Sequence, residues 1–137
     1  MIYAVIDTNV LVSALWTKND SAATYKVAQL LQKGAFTPLY NEDILTEYED
    51  VLNRPKFRFP KDSISTIIAY IRQYGINSER IPFEMDMPDE SDRVFYEVAL
   101  SKDDAYLVTG NQKHFPVSPI VVTPAEMLEL LSREILN

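Results

Sequence analysis

Short β-branched runs alternate with helix-length segments along this chain, and no other feature limits its fold so much. Ile2 to Ile6, Phe36 to Tyr40, Ala105 to Thr109 and Ile120 to Val122 are brief apolar runs bounded by turn formers, which reads as buried strands. Residues 80–84 are expected to add another strand. Between them, Ala22 to Lys33 puts Ala23, Val27, Leu30 and Leu31 on one helical face. Asn41 is expected to cap a helix running to about Leu52, with Ile44, Leu45, Tyr48, Val51 and Leu52 inward. Ser63 to Tyr74 repeats the pattern through Ile64, Ile67, Ile68 and Ile71, and Gly34 and Gly75 stand where glycine stops are expected. Further helices are predicted from about Asp92 to Ser101, with Phe95, Val98 and Ala99 inward, and from Pro124 to Leu136. Strands separated by helices predict an α/β domain whose mainly parallel sheet is covered on both faces. Ligand crevices in such sheets lie beyond the strands' carboxyl ends. Asp7 and Asn111 both fall at such ends, and Asp7, Thr8 and Asn9 read as a turn or helix start.

With 137 residues, 47% of them hydrophobic, the chain is expected to form one domain over 1–137. Its formal charge of -7 argues against broad capture of nucleic acid by a basic surface. A clustered carboxylate site produces the same acidity until divalent metal neutralises it. Cysteine is absent and histidine occurs once, which excludes disulfides, thiolate metal sites and a cysteine nucleophile. A reducing cytoplasm is the expected location, and no apolar run approaches the roughly 20 residues of a membrane span.

Oxygen donors therefore carry the candidate chemistry. Asp7 is either a turn former capping the next helix or a ligand aimed into the crevice. Glu47 borders the buried stripe of its helix, although a helical glutamate is ordinarily solvated. Asp92 would favour the first turn of a helix through the dipole whether or not it has a further role. The stretch Arg54, Pro55, Lys56, Phe57, Arg58, Phe59 interleaves cations with aromatics, a mixture that suits single-stranded nucleic acid and equally suits an ordinary helix end with a hydrophobic loop. Lys113 and His114 follow Asn111 closely enough to reach a phosphate at the same crevice, while Trp16 reads as a packing or interface residue.

Four segments, VIDTNVL, LTEYEDVL, PDESDRVFYEVAL and YLVTGNQKHF, occur in the order and approximate spacing of a known family. The chain resembles the PIN domain from Ile2 to about Met127, and within that family the toxin components of toxin–antitoxin systems. The resemblance implies a three-layer α/β/α sandwich and a metal-dependent endoribonuclease. It places the family's acids on Asp7, Glu47 and Asp92 as metal ligands and catalytic residues, with Asp89 accessory. The family's polar neighbours fall on Thr8, Asn9 and Thr109. Where many members carry a fourth aspartate this chain has Asn111, expected to orient a metal-bound water while weakening a second metal site. The cofactor implied is Mg²⁺ or Mn²⁺, and the partners are RNA, an antitoxin protein inserting near the carboxylates, and a second copy in a homodimer. The competing reading is a catalytically weakened PIN-fold module that binds RNA or protein. A phosphotransferase using Asp7 as nucleophile is a more distant one, because Asn9 stands where its second aspartate belongs.

Overall fold

A computed structural model of the chain describes residues 1–136. Five strands, β1 (Tyr3–Ile6), β2 (Thr37–Tyr40), β3 (Ile76–Asn77), β4 (Tyr106–Val108) and β5 (Val121–Val122), form one sheet in the order β3-β2-β1-β4-β5. Every pairing is parallel. The flanking helices are α1 (Thr8–Trp16), α2 (Ala23–Gln32), α3 (Glu42–Leu52), α4 (Lys61–Tyr74), α5 (Arg93–Ala99) and α6 (Pro124–Leu136). The result is an α/β/α sandwich. Helix α2 packs on both α1 and α6, whereas α3 packs on both α4 and α5. Because β1, β2 and β3 run outward on one side and β4 and β5 on the other, strand order reverses at β1 and β4. That is the switch point at which open parallel sheets leave a crevice.

Local chemistry explains most boundaries. The Asn41 side chain accepts a hydrogen bond from Ile44 N at 2.9 Å, capping α3 as its sequence position predicts. Gly34 has φ +77°, the left-handed geometry that ends α2. Gly75 also lies at a helix end, but its backbone is extended, with φ -83° and ψ 177°. A Cβ there would sit 2.5 Å from Ile71 O and 2.8 Å from Pro38 O, so glycine is required for the close approach of α4 to β2.

Residues 80–84 are not a strand, contrary to the sequence expectation; the strand beside β2 is the two-residue β3, directly after α4. The donors of the later segment are taken by α5 instead of by a neighbouring strand. Buried Glu97 accepts from Arg80 Nε at 2.7 Å and Phe83 N at 2.8 Å, and its carbonyl accepts from Ile81 N at 3.0 Å. Pro82 has no N–H to offer a ladder. Burial pushes the Glu97 carboxyl upward, yet these donors outweigh it and hold the carboxyl below its ordinary range. The helix expected from about Asp92 to Ser101 is observed as α5, led in by a short 3-10 turn over Glu90–Asp92.

Replacing Gly75 with alanine tests the close approach. The unfolded-chain entropy effect of Gly→Ala would stabilise by about 0.4–1 kcal/mol where the backbone accepts a Cβ. Here the obstructing atoms are backbone carbonyl oxygens with little room to move, so overpacking of about 1–3 kcal/mol should dominate. Gly75→Ala should lower the urea midpoint without changing the m-value.

Candidate functional site

Strand β1 ends by feeding Asp7 into the N-cap position of α1, with φ -64° and ψ 143°. The Asp7 side chain makes no cap hydrogen bond. Its Oδ2 instead accepts from the Thr109 hydroxyl at 2.7 Å, across the neighbouring end of β4. Asp7 is 5% exposed and Thr109 0%, so the pair is buried together. Thr109 Oγ1 also accepts from Asn111 N at 3.0 Å and faces Asn9 Nδ2 at 3.5 Å, while Asn9 Oδ1 accepts from Gly110 N at 3.1 Å. These bonds lace the two strand ends together and turn the first carboxylate into the crevice. Burial raises the Asp7 pKa, the Thr109 hydroxyl lowers it, and the Glu47 charge raises it; the net shift is upward.

Helix α3 brings the second acid. Glu47 lies one residue before Tyr48, which is fully buried and donates its hydroxyl to Ile6 O just before Asp7. That anchor sets the rotation of α3 against β1. Glu47 consequently faces α1, where its Oε2 accepts from the Thr8 hydroxyl. Burial, together with the nearby Asp7 and Glu47 charges, holds the Tyr48 phenol well above its ordinary pKa, so it remains a donor.

The third side of the crevice comes from the turn entering α5 and the loop after β4. Asp89 Oδ1 accepts from Ser91 N at 3.0 Å and Ser91 Oγ at 2.7 Å, which lowers its pKa. Asp92 is raised from 3.8 to about 6 by partial burial first, then by the charges of Asp7 and Asp89. His114 stands opposite, its Nδ1 3.3 Å from Asp92 Oδ2 and its Nε2 2.9 Å from the Asn111 side-chain nitrogen.

Asp7, Thr8, Asn9, Glu47, Asp89, Asp92 and His114 thus line one cavity of about 350 Å³, closed on its apolar side by Val12, Val51 and Phe57. Among the described residues no lysine or arginine lines it, so four carboxylates face one another with a single imidazole between them and solvent. This oxygen-rich donor set fits a hard divalent cation, which carboxylates bind while leaving positions for water and phosphate. Ligand atoms of Asp89, Asp92 and His114 lie within 4.8 Å of one another, a grouping that does not include Asp7 or Glu47.

Asn111 is not part of the cavity wall; its side chain turns to His114. Arg54, Lys56 and Arg58 lie on the exposed loop that carries Phe57 to the rim. Arg54 pairs with Asp50 at 3.6 Å, and Lys56 Nζ lies 5.1 Å from the centre of the Phe57 ring. Lys113 is exposed in the 3-10 turn over Gln112–His114. Trp16, 59% exposed, meets Phe57 and Phe59 edge-on, and those two rings are stacked 5.1 Å apart. Sequence reasoning did not anticipate the Asp92–His114 contact or the Glu97 anchor. Glu97 left a trace, since it lies between the inward Phe95 and Val98; His114 left none beyond its proximity to Asn111.

Among the described residues no helix is long and apolar enough to cross a membrane. No curated protein and no solved structure matches the chain significantly. A family model for the PIN domain matches residues 3–113, a span that includes Asp7, Glu47, Asp89, Asp92 and Asn111 and stops one residue short of His114. The chain therefore belongs to the PIN domain family, a nuclease-type fold.

Proposed function

We propose that the chain is a metal-dependent endoribonuclease, the toxin of a toxin–antitoxin pair, whose catalytic residues are Asp7, Glu47 and Asp92 with Asp89 assisting. The observation that carries this reading is the convergence of four carboxylates at the switch point of a parallel sheet, in a cavity that no lysine or arginine lines among the described residues. A Mg²⁺ or Mn²⁺ ion bound there supplies an activated water and neutralises charge on the scissile phosphate and its leaving oxygen. Asp7, Glu47 and Asp92 would hold that ion. Thr109 and Thr8 each donate to one oxygen of Asp7 and of Glu47, which fixes the orientation of both carboxylates.

RNA reaches this acidic crevice along the rim. The stretch from Val51 to Lys61 contains Arg54, Lys56, Arg58 and Lys61 and no acid, in a chain of net charge -7. Its cations suit phosphates, and Phe57 at the cavity edge suits an unpaired base. Lys113, exposed in the 3-10 turn that also carries His114, is assigned to a phosphate as well. The competing reading, an inactive binding module, draws on Asn111 in place of an acid. The four carboxylates favour the enzyme, because gathering them around one cavity brings mutual repulsion that a bound divalent cation would relieve. An antitoxin occupying the carboxylate crevice and a homodimer formed through helical surfaces complete the proposal.

Purified protein should cleave single-stranded RNA with Mn²⁺ or Mg²⁺ and not with EDTA. Asp7→Asn should reduce the rate by more than about 100-fold, exceeding the 10–100-fold typical of losing an outer-shell partner. Thr109→Val should fall within that lower range and also destabilise by about 1–3 kcal/mol, since buried Asp7 loses its donor. Absence of cleavage together with absence of Mn²⁺ binding in the wild type would overturn the enzyme.

Stability in EDTA offers a second check. The folded pKa of Asp92 is raised, so its contribution to stability is complete below pH 3.8 and is lost as pH rises through about 6. Unfolded chain releases the proton freely across that window, whereas the folded crevice resists forming the anion. The difference in Tm between Asp92→Asn and wild type should therefore grow in favour of the variant from pH 3.8 to about 6 and then level off. Saturating Mn²⁺ at neutral pH should reverse the order, because only the wild type retains the ligand.

A further inference from the structure

Position 111 interrupts the acidic pattern, yet its neutral side chain is engaged at the site's edge. The Asn111 side-chain nitrogen lies 2.9 Å from His114 Nε2, and the other ring nitrogen lies 3.3 Å from Asp92 Oδ2. We infer that His114 Nδ1 is itself a metal ligand beside Asp92 and Asp89, with Asn111 positioning the imidazole, so that the site prefers Mn²⁺ to Mg²⁺. This inference rests on the proposed metal-dependent reading and specifies its ligand set.

The separation of the two candidate ligand atoms suits a shared ion. Adjacent ligands at about 2.1 Å from one ion lie about 3.0 Å apart in octahedral and about 3.4 Å apart in tetrahedral geometry. The observed 3.3 Å falls between those values. Ligand atoms of Asp89, Asp92 and His114 all lie within 4.8 Å of one another, a spread that one ion closes with modest side-chain adjustment. A phosphate-binding role for His114 fits less well. Both ring nitrogens already face protein groups, and the nearer of these toward the cavity is an anion that would share the space with the phosphate.

Asn111 suits the positioning role because a carboxamide can either donate or accept. The Asn111 amide lies within hydrogen-bond distance of His114 Nε2 whichever tautomer the ring adopts, and a ring that gave its Nδ1 lone pair to an ion would present Nε2–H to the Asn111 side chain. Metal-bound histidines are ordinarily oriented by such a partner on the second nitrogen. Imidazole binds Mn²⁺ and later transition ions more readily than Mg²⁺, which selects oxygen.

The test uses Mn²⁺ alone with the purified chain. Electron spin-echo spectra of bound Mn²⁺ should show nitrogen modulation in the wild type and none in His114→Ala. Affinity for Mn²⁺ should fall about 10-fold in His114→Ala, with a smaller change for Mg²⁺ measured by competition. Asn111→Ala should weaken Mn²⁺ in the same direction while keeping the nitrogen signal. The His114 side chain is 47% exposed, so its removal should leave the circular dichroism spectrum and Tm of the metal-free protein unchanged. Bound Mn²⁺ without nitrogen modulation, or undiminished affinity in His114→Ala, would overturn the ligand assignment and leave a carboxylate-only site standing. No Mn²⁺ binding by the wild type would overturn both the assignment and the reading beneath it.

Discussion

The hydrogen bond from Thr109 to Asp7 joins the two central strands at the point where the sheet's connectivity reverses, and the geometry of the site depends on it. Register between β1 and β4 runs through Ile6 and Val108, so Asp7 and Thr109 emerge side by side. A carboxylate buried to 5% exposure needs a donor, and no helix cap supplies one here. The hydroxyl does so while collecting the Asn111 amide on its other face. One side chain thereby orients the first acid and begins the loop that presents His114. Tyr48 plays the matching part for α3, since its bond to Ile6 O ties the Glu47 helix to the strand that carries Asp7.

Electrostatics explains why such an acidic protein can still offer a surface to a polyanion. Screening over about 8–10 Å at physiological ionic strength makes local charge matter more than net charge. In the site itself, burial leads the upward shifts of Asp7 and Asp92, and the charge of neighbouring acids adds to both. Adjoining it, the acid-free run from Val51 to Lys61 concentrates cations around Phe57. Each region makes sense only with the other. In the proposed function the crevice would attract a divalent cation, and the cationic rim would offset the repulsion a nucleic-acid backbone meets on approach.

How much of this could be read from the sequence followed the range of the interactions involved. Period and local chemistry revealed the strand–helix alternation, the Asn41 cap and the Gly34 stop, because each depends on residues a few positions apart. Segment order singled out the acids at 7, 47, 89 and 92, and the fold brings the four to one cavity, although Asp7 could not be separated from a capping residue until Thr109 appeared beside it. The segment 80–84 misled because its apolar content resembles a strand, while its backbone donors are claimed by Glu97 from a helix more than ten residues on. Gly75 stood at the expected place for a different reason, since packing of α4 against Pro38 is invisible in local propensity. His114 could be seen only as a neighbour of Asn111; its approach to Asp92 arises when the β4 loop folds over the start of α5.

Asn111 bears most directly on whether the departure from four acids is a loss. A fifth carboxylate facing this cavity would add repulsion to a group of four already unrelieved by any lysine or arginine. Imidazole adds a donor without adding negative charge, so ligand number can be kept while electrostatic cost is reduced. The amide at 111 is then suited to its place because it can meet either tautomer of the ring, which a carboxylate, acting only as an acceptor, cannot do. Under the proposed assignment, a neutral residue at this position would change the type of ligand offered, from a further carboxylate oxygen to a nitrogen three residues later, instead of leaving the crevice one ligand short.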